Sequence, residues 1–361
     1  MAPPAEAKAN FVVVGCGLPG RGMGWFHAMQ LHGGVCESAR LVGVVEPWFL
    51  GGGKDTPAGI EFARDVVQQW PDVQFHATLD TTVFQTAGPG PRIAVIAGRT
   101  PDNPRLFREA LAAGATHVLL EKPGAPTVSD LEAMAQLASA KGVPVFMGFI
   151  KNISAYVEGA LKCEAAASAP CEVSLISLND YTRANLGECF SRCSEGLLKN
   201  MAIHELALAV QFWGMRASDV VEVRLAADGC EFATLGGLTD LVKVDMTLVA
   251  SSGKTLRIVA DRCATNGCCA VVRDLASGAV LYNEDMCGGP RQAACAARQA
   301  EHPDWISYLL SQEVEYAALK QTCAQHAVQS TTPPGVASIE TAIEALKLAE
   351  YLTPLVTAKL A

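Results

Sequence analysis

Lys122 stands in the tripeptide Glu121-Lys122-Pro123, directly after the apolar run His117-Val118-Leu119-Leu120. An ammonium group there can hydrogen-bond a hydroxyl or carbonyl oxygen and supply positive charge as an alkoxide develops. The plain alternative is a solvated lysine at a strand end. Its position favours chemistry, because open α/β sheets bind ligands at the carboxyl ends of their strands. His204 is the second candidate, in Leu197-Leu198-Lys199-Asn200-Met201-Ala202-Ile203-His204. On one helix Asn200 and His204 share a face, so Asn200 holds the imidazole while it exchanges a proton with a carbinol oxygen. The plain alternative is a half-buried helix histidine bonded to backbone. Lys199, Tyr181 and Arg183 are further candidates for contact with a small polar substrate.

About a hundred residues before Lys122, Phe11-Val12-Val13-Val14 runs into Gly15-Cys16-Gly17-Leu18-Pro19-Gly20-Arg21. Gly15-x-Gly17-x-x-Gly20 alone is a weak match. Its context is stronger: an apolar strand precedes it, a helix follows, and Glu46 ends the next strand. Gly15 makes the tight turn, and Gly17 lets the backbone approach a pyrophosphate lying on the helix N-terminus. Glu46 accepts from an adenosine ribose and repels a 2′-phosphate. NAD is therefore expected, with NADP admitted because Arg21 lies close by. The expected cofactor set is Gly15, Gly17, Leu18, Pro19, Gly20, Arg21, Glu46, Glu121 and Lys122.

These residues need a scaffold. Strands are expected at 11–14, 41–46, 73–75, 92–97, 117–120 and 143–149, with helices at 22–31, 60–70, 104–113 and 129–141. Ser129 and Glu132 read as a capping box for the last of these. The alternation stops near residue 150. Longer alternating strands follow at 172–178, 220–226, 241–250, 255–261 and 270–274, and Ser252-Gly253 reads as a hairpin turn. Helices are expected at 197–213, 304–326 and 339–352. The division is an α/β dinucleotide-binding domain over 1–150 and an α+β domain over 151–361 with a large open, mostly antiparallel sheet. The last helix is expected to pack back on the first domain.

The chain has 361 residues, half of them apolar and 18% charged, enough for two domains with sizeable cores. A net charge of −9 and the lack of any basic block argue against nucleic acid and anionic membranes as partners. No apolar run is long enough to span a bilayer, and the N-terminus reads as a short tail without a secretory signal. The thirteen cysteines show no paired metal-binding knuckles. They read as small buried hydrophobes of a reducing, cytoplasmic compartment, and no metal is expected.

The stretch Ala113-Gly114-Ala115-Thr116-His117-Val118-Leu119-Leu120-Glu121-Lys122-Pro123, with Gly148-Phe149 beyond it, resembles the Gfo/Idh/MocA oxidoreductases (glucose-fructose oxidoreductase, inositol dehydrogenase, rhizopine catabolism). The glycine turn and the His204 segment ending in Phe212-Trp213-Gly214 fit the same order. The resemblance implies a Rossmann domain, a second domain whose open sheet builds oligomers, and a lysine near the nicotinamide. It also implies a histidine preceded by an aspartate four residues earlier. Lys122 matches the lysine and His204 the histidine, but Asn200 stands where the aspartate belongs. An amide can orient His204 but cannot stabilise an imidazolium by charge. Thr100-Pro101 is present, Asn103 takes a histidine's place, and Lys151-Asn152 replaces an arginine reader. The implied function is hydride transfer between a nicotinamide and a carbinol or carbonyl of a sugar or cyclitol derivative. Two alternatives stay open: a lyase or glycosidase that recycles NAD, and a non-catalytic dinucleotide-binding regulator.

Overall fold

The computed structural model describes residues 8–305 and 307–360. By its internal contacts the chain divides into two units, Met1–Gly148 with Tyr316–Glu340, and Phe149–Glu315 with Thr341–Ala361. The single boundary at residue 150 thus meets a chain that returns. The returning segment in the first unit begins in the penultimate helix, whereas nearly all of the last helix belongs to the second unit.

The first unit contains β1 (Ala9–Val14), α1 (Met23–His32), β2 (Ala39–Val45), α2 (Pro57–Phe62), β3 (Gln74–His76), β4 (Arg92–Ile96), α3 (Asn103–Ala112), β5 (His117–Leu120), α4 (Val128–Lys141) and β6 (Val145–Met147). The strands form one sheet in the order β3-β2-β1-β4-β5-β6, with every neighbouring pair parallel. Central parallel strands bury both faces, so they read as unbroken apolar runs; Phe11 to Val14 and Ile93 to Ile96 are all fully buried. Thr56 caps α2, with Pro57 in its first turn. Helix α4 starts earlier than the Ser129 box implied: Thr127 is its cap, accepting from the Asp130 amide at 3.2 Å. Gly142 ends α4 in the left-handed region at φ 63°. The edge strand β6 is covered from the returning segment, where the Met147 amide donates to the Ala337 carbonyl at 2.9 Å.

The second unit begins with α5 (Ala155–Ala166), β7 (Cys171–Asp180), α6 (Leu186–Arg192), α7 (Leu197–Asn200) and α8 (Ile203–Trp213). Then come β8 (Val220–Leu225), β9 (Glu231–Leu235), β10 (Leu238–Ala250), β11 (Thr255–Asp261), β12 (Cys263–Asp274), β13 (Val280–Asp285) and α9 (Gln292–Glu301). Helix α10 (Ser307–Gln329) passes from this unit into the first at Tyr316, and α11 (Ile339–Leu360) closes the chain. The sheet order is β13-β12-β7-β11-β10-β8, with β9 paired to β10. Among the described residues of this sheet β7 and β11 pair in parallel and the other pairs are antiparallel.

Helices α5, α6 and α9 and strands β9 and β13 are not among the elements expected from the sequence. Neither strand carries a fully buried residue, so no apolar face marks them in the sequence. The helix expected at 197–213 is interrupted at Met201-Ala202, where the Ala202 amide reaches back to the Leu197 carbonyl rather than to Leu198. Among the described residues no helix is long and apolar enough to cross a membrane.

Candidate active site

The order 3-2-1-4-5-6 reverses direction between β1 and β4, and ligands bind beyond the carboxyl ends of strands at such a point. A groove of about 590 Å³ lies there, lined from β1 by Gly15, Cys16 and Gly17 and from β4 by Ala97, Gly98 and Arg99. Gly15 has φ 81°, and a Cβ on it would stand 2.8 Å from Gly98 Cα. Gly17 has φ 74°, and its Cβ would meet the Arg21 carbonyl oxygen at 2.9 Å. Neither place accepts a side chain, so backbone forms the floor of the groove. That is the cradle a dinucleotide requires.

Gly20, the third glycine of the pattern, has open space around the missing Cβ. Close approach of α1 to the turn falls instead to Gly24, whose Cβ would collide with the Gly15 carbonyl. A second, longer-spaced glycine in the run Gly20-Arg21-Gly22-Met23-Gly24 was the available signal. Leu18, Pro19 and Gly20 form a turn closed by the Arg21 amide on the Leu18 carbonyl at 2.9 Å, and they do not line the groove. Arg21 does line it.

Glu46 ends β2 and also lines the groove. Its Oε2 accepts from the Gly17 amide at 2.9 Å and its Oε1 from the Trp48 amide at 3.3 Å. The carboxylate is thereby aimed before any ligand arrives, with lone pairs left for ribose hydroxyls. Arg99 and Arg105 on the far wall add positive charge suited to phosphates. Trp48 leaves 59% of its surface exposed at the groove and packs against Gly53. Burial and the nearby Glu46 push the Cys16 thiol up, so it stays neutral within the glycine turn.

Lys122 follows β5, which is hydrogen-bonded to β4 with Leu120 opposite Ile96. Lys122 and Gly98 therefore both lie two residues beyond a paired position on adjacent strands, which run about 4.8 Å apart. Lys122 is half-buried. Asn103, at the start of α3, donates from Nδ2 to the Gly124 carbonyl at 3.0 Å and fixes the loop after Pro123. Glu121 does not line the groove. Its side chain is buried, with Oε1 2.9 Å from His27 Nε2 and Oε2 accepting from the Tyr316 hydroxyl at 3.2 Å. Gly148 makes room for it, since a Cβ there would come within 2.6 Å of Glu121 Oε1.

Asn200 and His204 belong to the second unit. The break between α7 and α8 puts them on separate helices rather than on one continuous face. His204, 6% exposed, lies in the first turn of α8 with its ring edge-on to Phe149 at 5.7 Å. Asn200 donates from Nδ2 towards Glu195 Oε2 at 3.5 Å. Lys151, standing where an arginine reader was sought, is 2% exposed and paired with Glu205, with Ser177 Oγ at 3.2 Å from its ammonium. It is an interior ion pair, not a surface reader. The three substrate candidates each have a partner within the unit: Lys199 with Glu350 at 2.9 Å, Tyr181 with Arg192 at 2.6 Å, and Arg183 with Glu231 at 2.7 Å.

Residues 9–149 match the oxidoreductase family with an NAD-binding Rossmann fold, Gfo/Idh/MocA. The match takes in all six strands of the first sheet. That family is described as NAD-binding, and its chemistry is oxidation and reduction. No match is found among the curated proteins. The whole chain has the fold of several solved inositol dehydrogenases. Myo-inositol 2-dehydrogenase of Lactobacillus plantarum superposes with a TM-score of 0.69 at 16% identity over 98% of both chains. Scyllo-inositol dehydrogenase of Lactobacillus casei, solved with NAD(H) and scyllo-inositol, gives 0.67 at 15% identity over 96% of both. A myo-inositol dehydrogenase of Corynebacterium glutamicum gives 0.64 at 19% identity over 95% of both. At these identities the likeness is one of fold.

Proposed function

We propose that the protein is an NAD-dependent dehydrogenase acting on a secondary alcohol, or the corresponding ketone, of a small polyhydroxylated metabolite, a sugar or cyclitol derivative. The observation that carries this reading is the ammonium of Lys122 beyond the strand next to the dinucleotide groove. Bound nicotinamide supplies the hydride acceptor or donor. Lys122 donates a hydrogen bond to the reacting oxygen and offsets the charge that grows on it. His204 takes or returns the proton of that hydroxyl; Asn200 lies on a separate helix and is given no part in holding its ring. The inositol dehydrogenase neighbours support a cyclitol as the first substrate to try. Glu46 favours NAD, and the arginines of the groove admit NADP.

Lys122→Ala tests the reading. Expected is a fall in kcat/KM of about 10²–10³-fold, with NAD affinity within about threefold of the parent, read from quenching of Trp48 fluorescence. Turnover that survives in Lys122→Ala removes the lysine from the mechanism. Conversion of substrate with no net NADH would point to the recycling lyase, and NAD binding without conversion of any polyol to the regulator.

The open face of the second sheet carries half-exposed Ile176, Leu178 and Val259 beside the Arg257–Asp245 ion pair. This mixed face supports a homo-oligomer built sheet to sheet. Light scattering on Val259→Lys should report a smaller particle than the parent; an unchanged mass would reject that face. The thirteen free thiols are consistent with a reducing, cytoplasmic location.

A further inference from the structure

Behind Lys122 lies a buried chain of polar side chains that the proposed reaction does not use. Lys320 is fully buried, and its ammonium donates to Gln30 Oε1 at 2.6 Å and to His27 Nδ1 at 3.1 Å. An ammonium has no acceptor, so Nδ1 must be the acceptor and the proton of the neutral ring sits on Nε2. That Nε2–H donates to Glu121 Oε1 at 2.9 Å, and Tyr316 closes the chain on Oε2. The Tyr316 ring meets the His27 ring edge-on at 4.9 Å. Burial and the Lys320 charge push the His27 pKa down against the opposing pull of Glu121, in keeping with a neutral ring.

This arrangement is costly to bury. A charged pair separated by an imidazole is often no more stable than an apolar packing of the same volume. What it provides is direction, since a satisfied buried network admits few geometries. It draws on three separate parts of the chain: His27 and Gln30 from α1, Glu121 from the end of β5, and Tyr316 and Lys320 from α10. Glu121 cannot relax towards Gly148, because its carboxylate already fills the space a Cβ would take. Helix α1 is the same helix that Gly24 clamps onto the glycine turn, and Glu121 is bonded directly to Lys122.

We propose that His27, Tyr316 and Lys320 are positioning residues, an ammonium–imidazole–carboxylate chain that holds Glu121 and thereby aims Lys122 at the reacting oxygen. The segment returning from the far end of the chain is then a working part of the dinucleotide-binding unit. The inference rests on the role given to Lys122 above, and its test separates the two.

The lysines of the parent, Tyr316→Phe and Lys320→Met are ¹³C-methylated, and the Lys122 resonance is assigned by its loss in Lys122→Arg. In both variants the Lys122 resonance should move, and kcat on a polyol should fall tenfold or more with KM for NAD within twofold. Folded variants with an unmoved resonance and unchanged kcat would overturn the proposal. A moved resonance in a protein that oxidises no polyol would support the positioning chain while defeating the dehydrogenase reading. ¹⁵N spectra of the parent's histidines give a check independent of any variant. They should show His27 as the neutral Nε2–H tautomer, and a cationic or Nδ1–H ring would refute the chain.

Discussion

At the scale of single residues, the site turns on which glycine does which job. Gly15 and Gly17 have the conformations that the spacing implied, but the close approach of helix to turn belongs to Gly24. Gly24→Ala should therefore destabilise by roughly 1–3 kcal/mol through overpacking and weaken NAD binding more than tenfold. Gly20→Ala has room for its methyl group and should cost less affinity. Melting curves and NAD titrations of the two variants decide this, and equal effects would reject the assignment. Glu121 shows how adjacency misleads. Next to Lys122 in sequence it reads as a cofactor residue, yet its carboxylate is turned inward onto His27 and Tyr316. His27 itself was legible only as one residue of the helix expected at 22–31. Its partners lie 94 and 293 residues away along the chain, and no local pattern encodes such separations.

At the scale of elements, the parallel strands were legible because burial on both faces makes them continuous apolar runs. The second sheet was half legible. Strands β10 and β12 extend well before their apolar parts, and β9 and β13 alternate too weakly to stand out. Helix starts depend on hydrogen bonds that composition only suggests. Ser129 and Glu132 satisfy the capping pattern, but Thr127 and Asp130 satisfy it two residues earlier, where the chain leaves its extended conformation. Thr127→Ala should lower stability by about 1 kcal/mol, seen as a lower denaturant midpoint with an unchanged slope; Ser129→Ala should leave the midpoint in place. The break between α7 and α8 matters most for chemistry. A polar residue four positions before His204 shares its face only on an unbroken helix.

At the scale of the whole molecule, buried histidines tie stability to pH. His27, His76 and His117 all have pKa values pushed down, in each case chiefly by burial. A histidine lowered in the folded state takes up a proton on unfolding at pH values between its folded and unfolded pKa. Stability is then highest above the unfolded value of about 6.5 and is lost as pH falls through it. One fully linked site contributes a slope of up to about 1.4 kcal/mol per pH unit. Urea melts should show this loss between pH 7.5 and 5.5, with a shallower slope in His27→Gln. An identical slope in that variant would mean that His27 is not held neutral.

By itself, the sequence determined the parallel sheet, the glycine turn with Glu46 behind it, and the lysine beyond β5. Each of these rests on a short-range rule: apolar runs, residues that tolerate positive φ, and a strand that must end. Tertiary structure alone decided that Tyr316–Glu340 joins the first unit, that Gly24 packs against the turn, and that Lys320 reaches Glu121 through His27. Those outcomes depend on which distant surfaces bury one another. A buried ammonium finds its carboxylate only after the fold has brought the two together.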